Sequence, residues 1–283
     1  MLRMPTQDEW KFALSQIRRL QRFSASQSVD IHCHCLPGLD DGPKTSDQSR
    51  ALCQALVADG ITTVIATPHQ LGLYEGNNGA DVIRAACAAL NQQLQADGIS
   101  LHAVPGADVR VDDQLLKLLD GDHVLTLADG KRFVLLELPH EVLIDLTLLI
   151  GELSARGICA IISHPERHMG ICRSPEALIP WIEQGALLQV TAGSLVGGFG
   201  PVAEKMAWDL ISANLVSLVA TDAHDPVHRP PMMNMAIDAL AKRLGHAVAR
   251  RLCIENPLAV LEGRPMPSTQ HPSSSSSMRI GGR

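Results

Sequence analysis

The sequence predicts an α/β protein whose parallel strands close into a TIM-like β/α barrel. Seven strand-like apolar runs alternate with helical stretches between residues 28 and 263. Some runs, such as residues 133–136 (FVLL), are apolar throughout, as expected for strands covered by helices on both faces. Side chains able to bind metal ions follow most of the runs, and the carboxyl ends of barrel strands converge on one face.

The predicted elements follow one another without an internal sequence repeat. A helix begins near Thr45, where Thr45 and Gln48 have the spacing of a capping box. An alanine-rich helix is predicted over residues 81–96. The predicted strands lie at residues 29–32, 62–67, 99–104, 133–138, 158–163, 187–191 and 215–221.

The two ends of the chain differ in composition from this region. Residues 1–27 form an extension in which residues 8–23 have helical spacing of apolar side chains, with arginines on the other side. We interpret this amphipathic helix as a packing or oligomer helix, with a membrane-surface or partner-binding helix as the alternative. Residues 264–283 are rich in Ser, Pro and Gly and are expected to be disordered. Residues 28–263, between these two ends, are predicted to form one domain.

The bulk composition excludes several classes of protein. A net charge of -6 and a pI near 6.0 give no reason to expect nucleic-acid binding. No apolar run approaches the roughly 20 residues that span a bilayer, and the first residues do not resemble a secretory signal. Seven cysteines without framework spacing indicate reduced thiols and a cytoplasmic protein.

A His-x-His pair ends the first predicted strand. Because strand side chains alternate, His32 and His34 project from one face, and Ile31 and Cys33 are expected on the other. Such a pair, followed by the carboxylate Asp41, is typical of the start of a metal site.

Similar side chains recur at or soon after six of the seven predicted strands. Imidazole and carboxylate ligands without cysteine suit Zn, Mn or Fe. The candidate ligands are His32, His34, Asp41, His69, Asp108, Glu137, His164, Asp222 and His224.

Nine ligands are too many for one ion, so the sequence predicts two or three divalent metal ions. Glu137 and Asp222 are the natural bridging carboxylates. Metal ions about 3.5–4 Å apart serve hydrolysis, above all of phosphate esters. Arg167 and Arg229 are close in sequence to ligands, and guanidinium groups suit a phosphate. Arg110 is expected in a surface salt bridge or at the phosphate, and Asp40 as a loop cap or a support for a ligand.

Other routes to phosphate chemistry can be excluded from the sequence. No cysteine has an arginine six positions later, so the loop of a cysteine-dependent phosphatase is absent. The chain also lacks the GxxxxGK[ST] nucleotide-binding loop and the G-x-S-x-G nucleophile motif.

Residues 30–42, which read DIHCHCLPGLDDG, resemble the opening motif of the PHP-domain phosphoesterases, and specifically of the CpsB/CapC-type bacterial tyrosine-protein phosphatases. Later motifs match in order: TPH at residues 67–69, SHPER at residues 163–167 and TDAH at residues 221–224. The resemblance covers residues 28–262.

The resemblance implies a distorted (β/α)7 TIM-like barrel, the PHP fold, with a trinuclear and often manganese-dependent centre. It implies that one ion is held by His32, His34, Glu137 and Asp222, a second by Asp108, Glu137 and His164, and a third by Asp41, His69 and His224. Arg167 and Arg229 would contact the phosphate. The implied substrate is phosphotyrosine in the tail of a bacterial tyrosine autokinase that controls capsule or exopolysaccharide export.

The chain departs from the family pattern at Asp108, where the family has Glu, and in its two ends. Two alternative functions stay open at this point. The same site could serve histidinol phosphate or another small phosphomonoester, since a fold does not decide a substrate. The protein could also be a weakly active regulatory metal-binding protein.

Overall fold

The computed structural model describes residues 28–140 and 142–266. The helix predicted over residues 8–23 lies outside the described residues, as does the tail from residue 267 onward. All seven predicted strands are present, and two short strands accompany them. The strands are β1 (Val29–Cys33), β2 (Thr63–Ala66), β3 (His69–Gln70), β4 (His102–Pro105), β5 (Asp108–Arg110), β6 (Phe133–Glu137), β7 (Cys159–Ser163), β8 (Leu187–Thr191) and β9 (Leu218–Ala220).

Helices follow most of the strands in the described part of the chain. The α-helices are α1 (Ser46–Ala58), α2 (Ala80–Ala96), α3 (Leu115–Asp120), α4 (Thr147–Ala155), α5 (Met169–Arg173), α6 (Leu178–Glu183), α7 (Gly200–Ser212), α8 (Met233–Leu244), α9 (His246–Arg250) and α10 (Asn256–Leu261). Short 3-10 turns lie at Gly72–Tyr74, Leu127–Asp129, Pro165–Arg167, Pro175–Ala177 and Ala192–Val196, and a π-helical turn lies at Arg251–Glu255.

The predicted cap of α1 is present with one change. The hydroxyl of Thr45 accepts a hydrogen bond from the backbone N–H of Gln48 at 3.3 Å. Gln48 reaches back to the N–H of Lys44, at 2.7 Å, instead of to that of Thr45. The reciprocal pair therefore closes one residue earlier than in a standard capping box.

The strands form two parallel sheets, ordered β1-β2-β4 and β3-β5-β6-β7-β8-β9. Only two residues separate β2 from β3, and only two separate β4 from β5. The two strands of each such set therefore occupy a single strand position in the barrel wall. A bridge between Cys33 and Ala223 joins β1 to the segment after β9. The seven positions close into the distorted (β/α)7 barrel that the sequence predicts.

Two breaks in the wall account for the distortion. Pro68 separates β2 from β3 and has no N–H to donate to a neighbouring strand. Gly106 separates β4 from β5, and a Cβ there would lie 2.6 Å from Cγ2 of Ile65. Beyond the breaks β3 and β5 pair with each other, in a register that sets His69 beside Asp108.

The barrel interior holds a small apolar cluster that is separate from the main core. Ile31, Phe133 and Leu135 belong to this inner cluster, whereas Cys33 belongs to the larger one between strands and helices. The prediction that Ile31 and Cys33 share a face is therefore wrong. The register of β1 against β2 shifts between Asp30 and Cys33, which lets Ile31 and His32 both face inward.

Candidate metal centre

The structure brings all nine predicted ligands together at the carboxyl ends of the strands. Within the described residues they form four overlapping groups, and the ligand atoms of each group lie within 4.8 Å of one another. The groups are His34, Asp41, His69 and His224; His32, His164 and Asp222; His32, His34 and Asp108; and His69, Asp108 and Glu137. Because the groups share members, they form one continuous cluster.

Asp108 lies in the middle of this cluster despite its short side chain. Its Oδ2 is 3.5 Å from Nε2 of His32, 3.5 Å from Nδ1 of His69 and 4.0 Å from Nε2 of His164. Aspartate at this position therefore still reaches histidines that come from three different strand ends.

Glu137 lies beside Asp108, its partner in the set implied for the second ion, and also beside His69. Its Oε2 is 3.6 Å from Nδ1 of His69, and it groups with His69 and Asp108 rather than with His32 and His34. Asp222 does join His32 and His34, with its Oδ1 at 3.3 Å and 3.4 Å from their Nε2 atoms. How the ligands divide among the ions stays a prediction.

The cluster fits divalent cations on its own chemistry. Neither carboxylate oxygen of the buried Asp108 has a hydrogen-bond partner, and the same holds for Nδ1 of His69. Burial and the neighbouring Glu137 raise the pKa of Asp108 well above its usual range. A cation would offset both effects and would supply a partner for the lone pairs.

The two histidines of β1 are held through their Nδ1 atoms. Nδ1 of His34 lies 2.6 Å from Oδ2 of Asp40, and Nδ1 of His32 lies 2.9 Å from Oε1 of Gln189. Both Nε2 atoms consequently turn inward and lie 3.2 Å apart. Such outer partners fix the tautomer and orientation of a ligating imidazole.

The surroundings of the two imidazoles shift their pKa values in opposite directions. Burial opposes the charged form of His34, but the carboxylates of Asp40 and Asp222 outweigh it and raise its pKa to about 10. Burial lowers the pKa of His32 to about 3, against the attraction of Asp222. Burial thus favours the neutral, metal-binding form of His32, whereas the two carboxylates favour the charged form of His34, whose proton a cation would displace.

Asp30 has a supporting role that the sequence alone did not reveal. One carboxylate oxygen accepts hydrogen bonds from the backbone N–H of Thr221, at 3.0 Å, and of His32, at 3.4 Å. The hydroxyl of Thr221 donates to the other oxygen. Asp30 therefore ties the irregular end of β1 to the residue before Asp222. Its place in DIHCH was the only available signal, because Thr221 is far away in sequence.

Two candidate ligands that follow strands adopt left-handed backbone conformations. His164 has φ 33° and Asp222 has φ 52°, although neither is glycine. Residues held in this region carry strain of about 1–3 kcal/mol and concentrate at functional sites. The conformation turns the chain sharply as each strand ends and directs the ligand into the cluster.

Arg167 and Arg229 converge on the edge of the cluster. The Nη2 atom of each lies 2.6 Å from Oδ2 of Asp222. They also share a support, because Phe199 places its ring centroid 4.5 Å from the guanidinium carbon of Arg167 and 5.9 Å from that of Arg229. Phe199 had no signal in the sequence, since a lone aromatic residue in a loop is not informative.

A cleft of about 460 Å³ opens from the cluster. Arg110 lies in its wall, where Nη1 is 3.2 Å from Oε2 of Glu137, so it pairs with a candidate ligand and is not a remote surface residue. The lining residues are Asp41, His69, Leu71, Gly72, Leu73, Tyr74, Arg110, Glu137 and His140.

In the part of the chain that the structure describes, none of the helices combines the length and apolar character required to cross a membrane.

The family model of capsular polysaccharide synthesis proteins, CpsB/CapC, matches residues 28–262. The chain is 37% identical over 219 residues to the tyrosine-protein phosphatase YwqE of Bacillus subtilis, covering 77% of this chain and 85% of YwqE. It is 26% identical over 240 residues to the tyrosine-protein phosphatase CpsB of Streptococcus pneumoniae, covering 82% of this chain and 98% of CpsB.

Solved structures give the same picture. One from a study of YwqE and CpsB, described as unique metal-dependent tyrosine phosphatases, has a TM-score of 0.82 and 34% identity, and covers 88% of this chain and 100% of the other. A β-aspartyl dipeptidase from Fervidobacterium islandicum, at TM-score 0.53 and 14% identity, shares the fold alone. The match covers 85% of this chain and 74% of the dipeptidase chain. The match over residues 28–262 and the identity to YwqE show that this chain belongs to the CpsB/CapC family.

Proposed function

We propose that this protein is a metal-dependent protein-tyrosine phosphatase that hydrolyses phosphotyrosine in a polypeptide. The observation that carries the proposal is the meeting of two kinds of group at Asp222. One oxygen of this carboxylate faces the histidines of the ligand cluster, and the other contacts two arginines. A phosphoryl group bound there would touch metal ions on one side and guanidinium groups on the other. The relatives named above are tyrosine-protein phosphatases.

We further propose that the cluster holds two or three divalent ions. Imidazole and carboxylate groups without thiolate suit manganese, zinc and iron, and manganese is the first choice because the family resemblance implies it. When bound, such ions supply an activated water and neutralise charge on the phosphoryl oxygens. The chain's own residues bind and orient the ester.

Arg167 and Arg229 would hold the phosphoryl oxygens. Both guanidinium groups contact Oδ2 of Asp222, and both lie over the ring of Phe199. Planar guanidinium groups can make paired hydrogen bonds to a phosphate, which fixes its orientation relative to the attacking water. The leaving group is a phenol with an ordinary pKa of about 10, so its departure needs less protonation than that of a serine alkoxide.

The open cleft favours a polypeptide substrate over a small metabolite. Leu73 and His140 line its outer part and are 96% and 67% exposed, the latter for the side chain. A rim this exposed leaves the outer part of the cleft open, so the rest of a polypeptide substrate could extend beyond it. The tail of a tyrosine autokinase of a capsule or exopolysaccharide pathway is the partner we propose.

We also propose a cytoplasmic location. All seven cysteines are free thiols, and five of them are buried. Free thiols persist in a reducing compartment.

The first test is phosphate release by enzyme stripped with a chelator and resupplied with Mn²⁺. The substrates are a phosphotyrosine peptide and histidinol phosphate at equal concentrations. Manganese-dependent turnover with preference for the peptide is the expected result. Preference for histidinol phosphate would transfer the site to small-molecule metabolism. Absence of turnover on both would support the regulatory alternative and overturn the proposal.

A further inference from the structure

We propose that the cleft beside the metal cluster is an aryl-binding subsite in which Tyr74 stacks on the ring of the phosphoester's leaving group. The inference rests on the proposed function, because it names the feature of the substrate that the site selects. It concerns residues outside the metal ligands and the two arginines.

Tyr74 extends the aromatic surface of the metal site outward. Its ring is nearly parallel to that of His69, with 16° between the planes and 5.6 Å between the centroids. It is the only tyrosine in the sequence, which has just eight Phe, Trp and Tyr residues in total (4 Phe, 3 Trp and 1 Tyr). An aromatic side chain in this position gives the cleft a flat apolar face directly beside a candidate ligand.

The rest of the cleft suits a flat ring that is joined to a phosphate. His69, Asp41 and Glu137 connect the cleft to the cluster, so a phosphoryl group at the ions would place its ester substituent in the cleft. The guanidinium of Arg110 lies in the same cleft and is held by its ion pair with Glu137. Guanidinium groups stack on aromatic rings, besides forming paired hydrogen bonds with phosphates. An aryl group would therefore meet an aromatic face and a planar cation.

The loop that carries Tyr74 is built to hold this shape. Leu71 is buried with φ 66°, a conformation that non-glycine residues rarely adopt, and the N–H of Tyr74 donates to its carbonyl at 3.1 Å. The amide of Asn78 anchors the other end by donating to the carbonyls of Leu39 and His69, at 2.8 Å and 2.9 Å. Gly72 has φ 58°, and a Cβ there would lie 3.0 Å from Cγ of Arg110. The loop around Tyr74 is thus held by the protein's own contacts, while the Tyr74 ring rests beside His69 and Arg110 pairs with Glu137.

Binding of phosphonates tests the subsite without relying on turnover. Calorimetry of the Mn²⁺-loaded protein with phenylphosphonate and methylphosphonate measures the preference for an aryl group. We expect the wild type to prefer phenylphosphonate and Tyr74→Leu to lose that preference by roughly three- to tenfold. Tyr74→Phe should restore it, and methylphosphonate affinity should be the same in all three proteins. Leu148→Ala, at an exposed leucine on α4, is the control for an unrelated surface change.

Two outcomes would overturn the inference. One is an unchanged aryl preference in Tyr74→Leu with methylphosphonate affinity intact. The other is an equal loss of affinity for both phosphonates, because Tyr74 would then support the metal site as a whole. Failure of the wild type to hydrolyse the phosphotyrosine peptide while it still prefers phenylphosphonate would count against the proposed function and not against the subsite.

Discussion

The Nη2 atom of Arg229 lies 2.6 Å from Oδ2 of Asp222, and the Nη2 atom of Arg167 lies at the same distance from the same oxygen. The other oxygen of Asp222 faces His32 and His34. Burial raises the pKa of this carboxyl, but the two guanidinium groups and a hydrogen bond with His34 outweigh burial and hold the pKa well below its usual range. Asp222 is therefore an anion in the folded protein and connects the cluster of candidate ligands with the two arginines that we propose bind the phosphate.

Arg229→Ala should lower kcat/KM for a phosphotyrosine peptide by about 10- to 100-fold, mainly through KM, because one charge-assisted contact to the phosphate is lost. Metal content, measured by plasma mass spectrometry, should stay at the wild-type value. Arg250→Ala, at an exposed arginine paired with Glu255, is the matched control. Loss of metal from Arg229→Ala would mean that the arginine serves the ligands rather than the substrate.

His32→Ala and Asp222→Asn should abolish turnover and reduce the number of bound Mn²⁺ ions, because each change removes a ligand from a shared group. Asparagine is preferred to alanine at Asp222, since it keeps a hydrogen-bond acceptor for the two arginines. His246→Ala changes an exposed histidine and should behave as the wild type. Normal turnover in either ligand variant would refute the metal assignment.

Asp40→Asn should weaken Mn²⁺ binding by about 10- to 100-fold, because the carboxylate that orients His34 is lost. Asp40 also accepts hydrogen bonds from the N–H groups of Gly42 and His69, at 2.9 Å and 3.1 Å, so the change acts on the loop as well. The measurement is a titration of stripped protein with Mn²⁺. Asp47→Asn, at an exposed carboxylate on α1, is the control, and wild-type affinity in Asp40→Asn would exclude the positioning role.

Phe199→Leu should raise KM by about three- to tenfold with little change in kcat, because the ring supports both arginines that we propose bind the phosphate. The ring packs against Gly193, where a Cβ would lie 3.0 Å from Cε2 of Phe199, so its position is tightly set. Phe199→Tyr should rescue KM if the aromatic face is what matters. A fall in kcat and in thermal stability without a change in KM would assign Phe199 to packing alone.

The barrel could be predicted from the sequence, and the nine side chains predicted as ligands do meet in one cluster, because both signals are local. Apolar runs define strands, and a ligand at a strand end lies on the catalytic face in any β/α barrel. The register shift in the pairing of β1 with β2 could not be predicted from the alternation of strand side chains. Because of this shift, Ile31 lies on the opposite face from the one expected. The partners Gln189, Asp30 and Phe199 depend on contacts between distant parts of the chain. The position of Tyr74 beside the cleft could not be predicted either, because it depends on the conformation of an irregular loop.

The cluster takes its ligands from almost the whole length of the described domain, from His32 in β1 to His224 beyond β9. During synthesis on the ribosome, domains generally fold as units while the chain emerges from its N-terminal end. A nascent chain of this protein would expose its early histidines well before their last partners are made. It cannot complete the site until nearly all of the barrel has been translated. On the proposed metal assignment, loading with metal would consequently be a late event in biogenesis, and it would report that the barrel has assembled.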